Sequence, residues 1–312
     1  MRIDAVLPTY RPDRRLLDIF EVLSRQTVPV GKIIIMNTEE KYLDNLLLGL
    51  KYGEILKKLE IHHISRWEFD HGLTRDQGVA FSDADIVLMM TQDAVPLNEN
   101  FIEELIRPFE DEKVGSAYAR QIPAMDASLA EKFSRSFNYP DTDMLKSKED
   151  LDRLGIKTYF CSNACAAYRK KIFDELGGFI KSTIFNEDMI YACKMINAGY
   201  SIAYCSKALV RHSHEYTNKQ QFKRNFDLAV SQKMHPEVFE GISSEKEGLK
   251  YVKEAFAFFR KHKRPWVIIP FLVTCVYKYA GYFLGKRYDR LSKKRILKCT
   301  MNQRFFKKLW NL

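Results

Sequence analysis

The chain has 312 residues, with 50 Lys and Arg against 40 Asp and Glu, a formal net charge of +10, and 46% apolar residues. That composition excludes a disordered polyelectrolyte and suffices for one large domain or two small ones. The charge is unevenly spread: residues 260–312 hold 15 Lys and Arg and a single acid, Asp289, so the tail carries +14 and residues 1–259 carry −4. A mildly acidic body with a basic tail argues against a nucleic-acid reader, whose basic surface covers its folded domain. Six cysteines in no CxxC or zinc spacing point to reduced, mostly buried thiols of a cytosolic protein. The N-terminus, with Asp4 and Pro8 and no apolar stretch of signal-peptide type, predicts a chain that stays on the cytoplasmic side.

In chain order, Ile3–Leu7 is an apolar run ended by Pro8 and predicts a buried strand. Arg11–Arg25 carries apolar residues at 16, 17, 19, 20 and 23, the spacing of an amphipathic helix. Lys32–Met36 predicts a second strand with Asn37-Thr38 in its exit loop, Tyr42–Leu59 a helix, and Glu60–Ser65 a third strand. Thr74–Ser82 predicts a helix, and Asp85–Met90 a fourth strand that stops at Thr91-Gln92-Asp93. This alternation indicates βαβ units around a mostly parallel sheet, and in such sheets ligands bind beyond the carboxyl ends of the strands. The polar residues after the strands (Thr9, Tyr10, Arg11, Asn37, Thr38, Gln92 and Asp93) therefore share one rim.

Asn98–Phe109 begins as a helix should, with Asn and two early acids. Lys113–Arg120 has strand character, Gln121–Asp152 shows no single period, and Lys157–Cys161 reads as extended. Lys170–Leu176 predicts a helix ended by Gly177-Gly178, Glu187–Asn197 another, and Ser201–Cys205 and Leu209–His212 two short strands. The body ends near residue 240, followed by a charged amphipathic helix, Ser244–His262.

Taken singly, the rim residues have structural readings. Asp93 at a strand end also serves as a loop cap, and Asn186-Glu187-Asp188 at a helix start also complements the macrodipole. His212 and His214 alternate along a strand end, so one of them faces the rim. Phosphate-cradling loops of the GxGxxG and GxxxxGKS types are absent, which leaves phosphate to Arg and metal. A cysteine nucleophile at 161 or 165 lacks an evident His/Asn partner.

Taken together, Val6-Leu7-Pro8-Thr9-Tyr10, the strand ending in Asn37-Thr38, Gly72-Leu73-Thr74-Arg75-Asp76-Gln77-Gly78 and Thr91-Gln92-Asp93-Ala94 resemble the first half of glycosyltransferase family 2. Gly177-Gly178-Phe179, Asp188 nine residues on and His212 a further 24 on resemble its second half. A closer resemblance, to bacterial rhamnosyltransferases of surface-polysaccharide synthesis, covers nearly the whole chain. It rests on Asn37-Thr38-Glu39-Glu40, Glu68-Phe69-Asp70-His71-Gly72, Thr91–Pro96, Tyr118-Ala119-Arg120-Gln121, Ser136-Phe137-Asn138-Tyr139-Pro140, Phe185–Asp188 and His212-Ser213-His214.

The resemblance implies an α/β fold of GT-A type, a nucleotide-binding domain (residues 1–240) with a mostly parallel central sheet, plus a basic helical extension (241–312). It implies that Pro8, Thr9, Arg11 and Gln92 line the nucleotide pocket, that Asn37 meets the base, and that Arg75 approaches the diphosphate or ribose, with Asp76 shaping that loop. Asp93 and His212 would hold a divalent cation, Mn²⁺ or Mg²⁺; Gln92 and Ala94 leave one carboxylate where the family has two, which lowers metal affinity without nucleotide. Asp188 would be the general base of an inverting displacement. Glu187 would raise its pKa or bind acceptor, and Asn163 would lie near the sugar. The implied reaction moves L-rhamnose from dTDP-β-L-rhamnose to a lipid-linked glycan as an α-rhamnoside. Alternatives are another donor (a UDP-hexose or UDP-N-acetylhexosamine), a metal-dependent hydrolase using the same three residues on water, and a non-enzymatic basic adaptor.

Trp266–Leu284 is mostly apolar but contains Pro270 and Lys278. A bilayer span needs about 20 apolar residues, and a central Lys opposes insertion by roughly 2.5–3.5 kcal/mol. With basic flanks and many aromatic rings, the segment predicts an in-plane anchor at an anionic inner leaflet, making the protein peripheral at the cytoplasmic face. The competing reading is that it completes the core of the body.

Overall fold

The strands of the computed structural model are β1 (Ile3–Tyr10), β2 (Ile33–Thr38), β3 (Leu59–Ile64), β4 (Ile86–Met90), β5 (Val95–Pro96), β6 (Val114–Ile122), β7 (Met144–Lys146), β8 (Cys165–Arg169) and β9 (Ser201–Arg211). They form one sheet in the order β3-β2-β1-β4-β8-β6-β9-β5, with β7 paired to β9. The structure describes residues 1–47, 53–240 and 245–311. Two units result: Met1–Ala124, Tyr139–Lys181 and Glu187–His212 make the first, and Met125–Asn138, Ser182–Asn186 and Ser213–Leu312 the second. The expected boundary after residue 240 adjoins residues 241–244, which lie outside the described residues.

In the first unit the parallel half, β3-β2-β1-β4, matches the βαβ expectation. Its core is a continuous apolar cluster that includes Ile3, Leu7, Ile33, Ile35, Ile86 and Leu88, packed beneath Leu16, Ile19, Phe20 and Leu23 of helix Arg14–Ser24. β1 runs through Pro8 instead of stopping there, because its pairing with β4 ends at Val6, so the missing proline N–H interrupts nothing on that side. Asn37 and Thr38 are likewise inside β2, not in a loop, paired with Thr9 and Tyr10. The expected helix Tyr42–Leu59 is described only as Lys41–Leu47 and Gly53–Leu56; residues 48–52 lie outside the described residues. Helix His71–Ala80 starts three residues before Thr74 because Asp70 caps it, accepting from Gly72 N–H and Leu73 N–H at 3.0 Å.

The other half differs more. β8 was not expected, since Ala166 and Ala167 have little strand propensity; it lies antiparallel between β4 and β6. β9 is one long strand, not two, with a register shift opposite Ala119 and Arg120 where the sequence pattern breaks. Lys157–Cys161, expected to be extended, instead starts inside a 3₁₀ turn, Gly155–Tyr159, whose residues Thr158 and Tyr159 are buried. None of the six cysteines is in a disulfide, and Cys161, Cys165, Cys193 and Cys205 are buried.

The second unit is helical: Leu129–Asn138, Asn218–Met234, Glu245–Lys261, Ile268–Gly285, Lys293–Cys299 and Gln303–Leu309. Helices Asn218–Met234 and Ile268–Gly285 lie side by side; a Cβ on Gly281 would sit 2.1 Å from the Phe222 carbonyl oxygen, so the close approach requires glycine. The inward residues of Ile268–Gly285 include Phe271, which packs on Phe133, Ala255 and Phe259. Its other side is apolar and exposed at Ile269, Val276 and Tyr279.

Candidate active site

Three short segments meet at the carboxyl ends of β1, β2 and β4. The Thr9 hydroxyl donates to Asn37 Oδ1 at 3.0 Å, and Asn37 Nδ2 lies 3.0 Å from His63 Nδ1. Thr9 and Asn37 are buried, so they form the floor beneath the rim. Above them the Arg11 guanidinium lies over the Tyr42 ring at 4.8 Å and donates to its hydroxyl at 2.9 Å, while Arg66 lies 5.1 Å from the Tyr10 ring centroid. Two cations on two rings make a surface suited to a flat base and its phosphates. Arg11 takes a left-handed conformation (φ 48°), which the Gln92 amide stabilises from below. That amide accepts from Tyr10 N–H at 2.8 Å and donates to Tyr10 C=O at 3.0 Å. A carboxylate could accept the first bond but not donate the second, which gives a physical reason for Gln beside Asp93.

Asp93 Oδ1 lies 3.5 Å from His212 Nε2, and Asp93 Oδ2 lies 3.7 Å from Arg15 Nη1. His212 Nδ1–H donates to Gln121 Oε1 at 2.8 Å, and the Gln121 amide in turn donates to Ser162 Oγ at 3.0 Å. This chain fixes the tautomer that turns the Nε2 lone pair toward the carboxylate. Two electron-pair donors facing each other at this distance repel unless a proton or cation lies between them. A hard carboxylate with one imidazole is a donor set that fits Mg²⁺ or Mn²⁺.

Residues 162–164 connect this pair to the carboxylates of helix Glu187–Asn197. The Ala164 carbonyl accepts from Thr91 N–H at 3.0 Å, Asn163 N–H donates to Asp188 Oδ2 at 3.3 Å, and Asn163 Nδ2 donates to Glu187 Oε1 at 3.4 Å. Asn163 is itself held by the Tyr168 hydroxyl, which donates to its Oδ1 at 2.7 Å. Asp93 and His212 lie 3.5 Å apart, and the segment Ser162-Asn163-Ala164 is bonded on one side to Gln121 behind His212 and on the other to Asp188, all within one unit. Asn163, expected near the sugar, is buried and holds the two carboxylates instead. Asn186, in the left-handed conformation (φ 64°) that Asn tolerates, turns the chain into this helix.

Glu187 and Asp188 have opposite environments. Burial, and then the charge of Glu187, raises the Asp188 pKa from 3.8 to about 7. Glu187 moves the other way: against the penalty of burial, Arg75 and then His71 hold it below the ordinary carboxylate value. Arg75 is buried, 3.2 Å from Glu187 Oε1, and donates to the His71 carbonyl at 2.8 Å. Its guanidinium is therefore engaged within the fold, where the sequence reading had it approaching the diphosphate or ribose. Asp76 accepts from Phe179 N–H at 2.8 Å, and burial raises its pKa to about 6. It fastens the loop in which Gly178 takes φ 64°, where an added Cβ would lie 2.6 Å from the Asp76 carboxylate.

The family described as Glycosyltransferase like family 2 matches residues 51–227. Full-length relatives agree with it. O-antigen chain rhamnosyltransferase RfbN of Salmonella typhimurium (strain LT2) is 36% identical over 315 residues, covering 100% of this chain and 96% of the relative. The chain belongs to glycosyltransferase family 2. A second family 2 relative, O-antigen chain rhamnosyltransferase WbaN of Salmonella anatum, is 37% identical over 311 residues, covering 98% of this chain and 95% of its own. The fold of this glycosyltransferase is of GT-A type: it superposes on mannosyltransferase PcManGT from Pyrobaculum calidifontis, solved with GDP-Man and Mn²⁺, with a TM-score of 0.57. That likeness spans 99% of this chain and 87% of the other at 12% identity. The candidate site also contains residues that sequence reasoning did not single out, Tyr42, His63, Arg66 and Arg15 at the rim and Tyr168 behind Asn163, and it gives Gln121, quoted above only as part of a motif, a place behind His212. Arg15 and Tyr42 sit in runs whose helical period accounts for them, and nothing in their spacing marks them further.

Proposed function

We propose that this glycosyltransferase moves L-rhamnose from dTDP-β-L-rhamnose to a lipid-linked glycan with inversion at the anomeric carbon. Residues 1–240 serve as the transferase domain and 241–312 as a membrane-associating extension. The observation that supports the reading is the placement of Asp93 and His212 within 3.5 Å of each other, with the segment 162–164 bonded both to Gln121 behind His212 and to Asp188. The rhamnosyltransferase names of two relatives matched over nearly their whole length support rhamnose as the sugar.

In this reading Asp188 takes the proton from an acceptor hydroxyl as that oxygen attacks C1 from the face opposite the diphosphate. The O–C1 bond forms, the C1–O bond to phosphate breaks, and dTDP leaves with the electron pair. A pKa near 7 suits that task, because about half of the base is ionised at neutral pH and it is strong enough to accept the proton. Pro8, Thr9, Asn37 and Gln92 shape the nucleotide pocket, and Arg11 presents the charge to it. Asp93 and His212 would hold Mn²⁺ or Mg²⁺, which supplies charge neutralisation on the departing diphosphate when bound. Arg75 and Asn163 act through Glu187 and Asp188, and Glu187 acts on Asp188 by its charge.

The extension supports action at the inner face of the membrane. Pro265–Gly285 is 21 residues of a length and composition that could cross a bilayer, yet its polar residues Thr274 and Lys278 line a cavity within the unit. Its apolar side is exposed, the reverse of a soluble helix, and Arg264, Lys286 and Arg287 flank it. An in-plane helix on an anionic surface satisfies both sides.

A thermal-shift screen of dTDP-rhamnose, UDP-glucose and UDP-N-acetylglucosamine with and without Mn²⁺ tests the donor and the metal together. The largest stabilisation is expected with dTDP-rhamnose and Mn²⁺, by RT ln(1 + [L]/Kd). A larger shift with either uridine donor removes the dTDP assignment; a shift with dTDP-rhamnose that ignores Mn²⁺ removes the metal.

A further inference from the structure

The second unit contains a cavity of about 180 Å³ that none of the residues assigned above to donor, metal or base lines. Part of its wall is aromatic: Tyr251 and Phe271 have ring centroids 5.4 Å apart, and Tyr216 stacks on His214 at 5.3 Å with planes 25° apart. The remainder is polar, with Glu131, Ser134, Gln221, Thr274 and Lys278. At the rim the Ser128 N–H donates to the Glu215 carboxylate at 2.6 Å.

Lys278 is the unusual member. It is the one charge within helix Ile268–Gly285, and with Phe271, Thr274 and Cys275 it follows helical spacing along the inward face. Among the described residues its ammonium makes no ion pair or hydrogen bond; it lies 5.6 Å from the Tyr251 ring centroid, and burial lowers its pKa. A partly buried ammonium in that position costs free energy that a ligand oxygen would recover.

We propose that this cavity is a subsite for one sugar ring of the acceptor glycan, an inference that rests on the transfer reading above. A pyranose presents an apolar C–H face that packs on aromatic rings and a girdle of hydroxyls that donate and accept. Lys278 donates, the Glu131 carboxylate accepts, and the Gln221 amide and Ser134 hydroxyl do both. Among the lining residues Lys278 is the one cation, while Glu131 is paired with Arg135 at 2.7 Å and Glu215 accepts from Ser128 N–H, so the wall offers both donors and acceptors to a neutral sugar. The volume equals about six waters' share of the liquid, which suits one sugar ring with the rest of a glycan extending through the open mouth.

Saturation-transfer NMR on the full chain, with the methyl glycosides of α-L-rhamnose, β-D-galactose and α-D-mannose as probes, reads the cavity without turnover. At least one glycoside is expected to bind, and Lys278→Met and Gln221→Leu are each expected to weaken it by on the order of tenfold. Binding of dTDP to the same variants checks their fold, and Gln221→Leu lies on a separate helix should Lys278→Met not fold. In a transfer assay the two variants should raise the acceptor KM by a similar factor with the donor KM unchanged. Absence of glycoside binding, equal binding by wild type and both variants, or displacement of the glycoside by inorganic pyrophosphate overturns the proposal. Glycoside binding that responds to Lys278→Met in a protein that does not turn over dTDP-rhamnose overturns the donor reading and leaves the sugar subsite standing.

Discussion

Glu187→Gln isolates the charge that tunes Asp188. The substitution keeps the side chain's length and its oxygen for Asn163 Nδ2, but removes a negative charge that raises the Asp188 pKa and leaves Arg75 without its carboxylate. Both changes act in one direction, because the unmasked guanidinium also favours ionised Asp188. Burial is the larger cause of the raised Asp188 pKa and the Glu187 charge the second, so the tuning carried by Glu187 is on the order of 1 kcal/mol. The assay is the pH dependence of single-turnover transfer from dTDP-rhamnose at saturating donor. Wild type should lose rate as pH falls through about 7, and the variant's acid limb should lie lower by about one unit. The plateau at high pH should also fall, since the remaining base is weaker. Breaking a buried pair costs about 3–5 kcal/mol, so Arg75→Met with Glu187→Met, which removes both charges, serves as the control for stability. An acid limb that stays in place in Glu187→Gln, or moves upward, refutes the argument that Glu187 tunes the base.

Asp188→Asn should abolish transfer, keep dTDP binding, and raise stability at pH 8 by on the order of 1–3 kcal/mol, because a poorly solvated charge is removed; denaturant melts and calorimetric dTDP titration check the two halves. Burial raises the Asp227 pKa from 3.8 to about 6, so the native state binds more protons than the unfolded one across that interval and stability falls as pH rises through it. Wild type should therefore lose about 3 kcal/mol relative to Asp227→Asn between pH 4 and pH 7, and parallel stability profiles for the two proteins would refute this. Gln121→Leu, which removes the partner of His212 Nδ1, should weaken Mn²⁺ binding in the presence of dTDP by about 10–100-fold; an unchanged titration contradicts the orienting role. Val276→Glu with Tyr279→Glu, on the exposed side of helix Ile268–Gly285, should release the protein from anionic vesicles in flotation without altering dTDP affinity.

The parallel half of the sheet was legible because its strands are buried on both faces and read as unbroken apolar runs, Ile33–Met36 and Ile86–Met90 among them. β8 was not, because its centre is Ala166-Ala167, residues that carry no strand signal of their own, and pairing on both sides with β4 and β6 makes it a strand. The same distinction holds at the site. Asp93, Asp188 and His212 could be singled out because their residue types carry chemistry at strand ends and a helix start. Their partners could not: Gln121 is one of many polar residues until the fold sets it 2.8 Å from His212. Arg75 was readable as a cation near anions, but not that its anion is Glu187.

Helix Ile268–Gly285 shows where composition alone misleads in both directions. Its apolar content argues for a membrane span or a core helix, and Lys278 argues against either. Each feature is satisfied once the helix is seen from the side: Thr274 and Lys278 turn inward to a polar cavity, while Ile269, Val276 and Tyr279 turn outward. A core helix buries its apolar side, and a spanning helix with a central Lys would need a partner for that charge in hydrocarbon. The proposed interfacial position lets the apolar side leave water while the ammonium stays in a polar protein interior. The same orientation turns Lys278 toward the cavity and the apolar side outward, so the proposed anchor and the proposed sugar subsite are two faces of one helix.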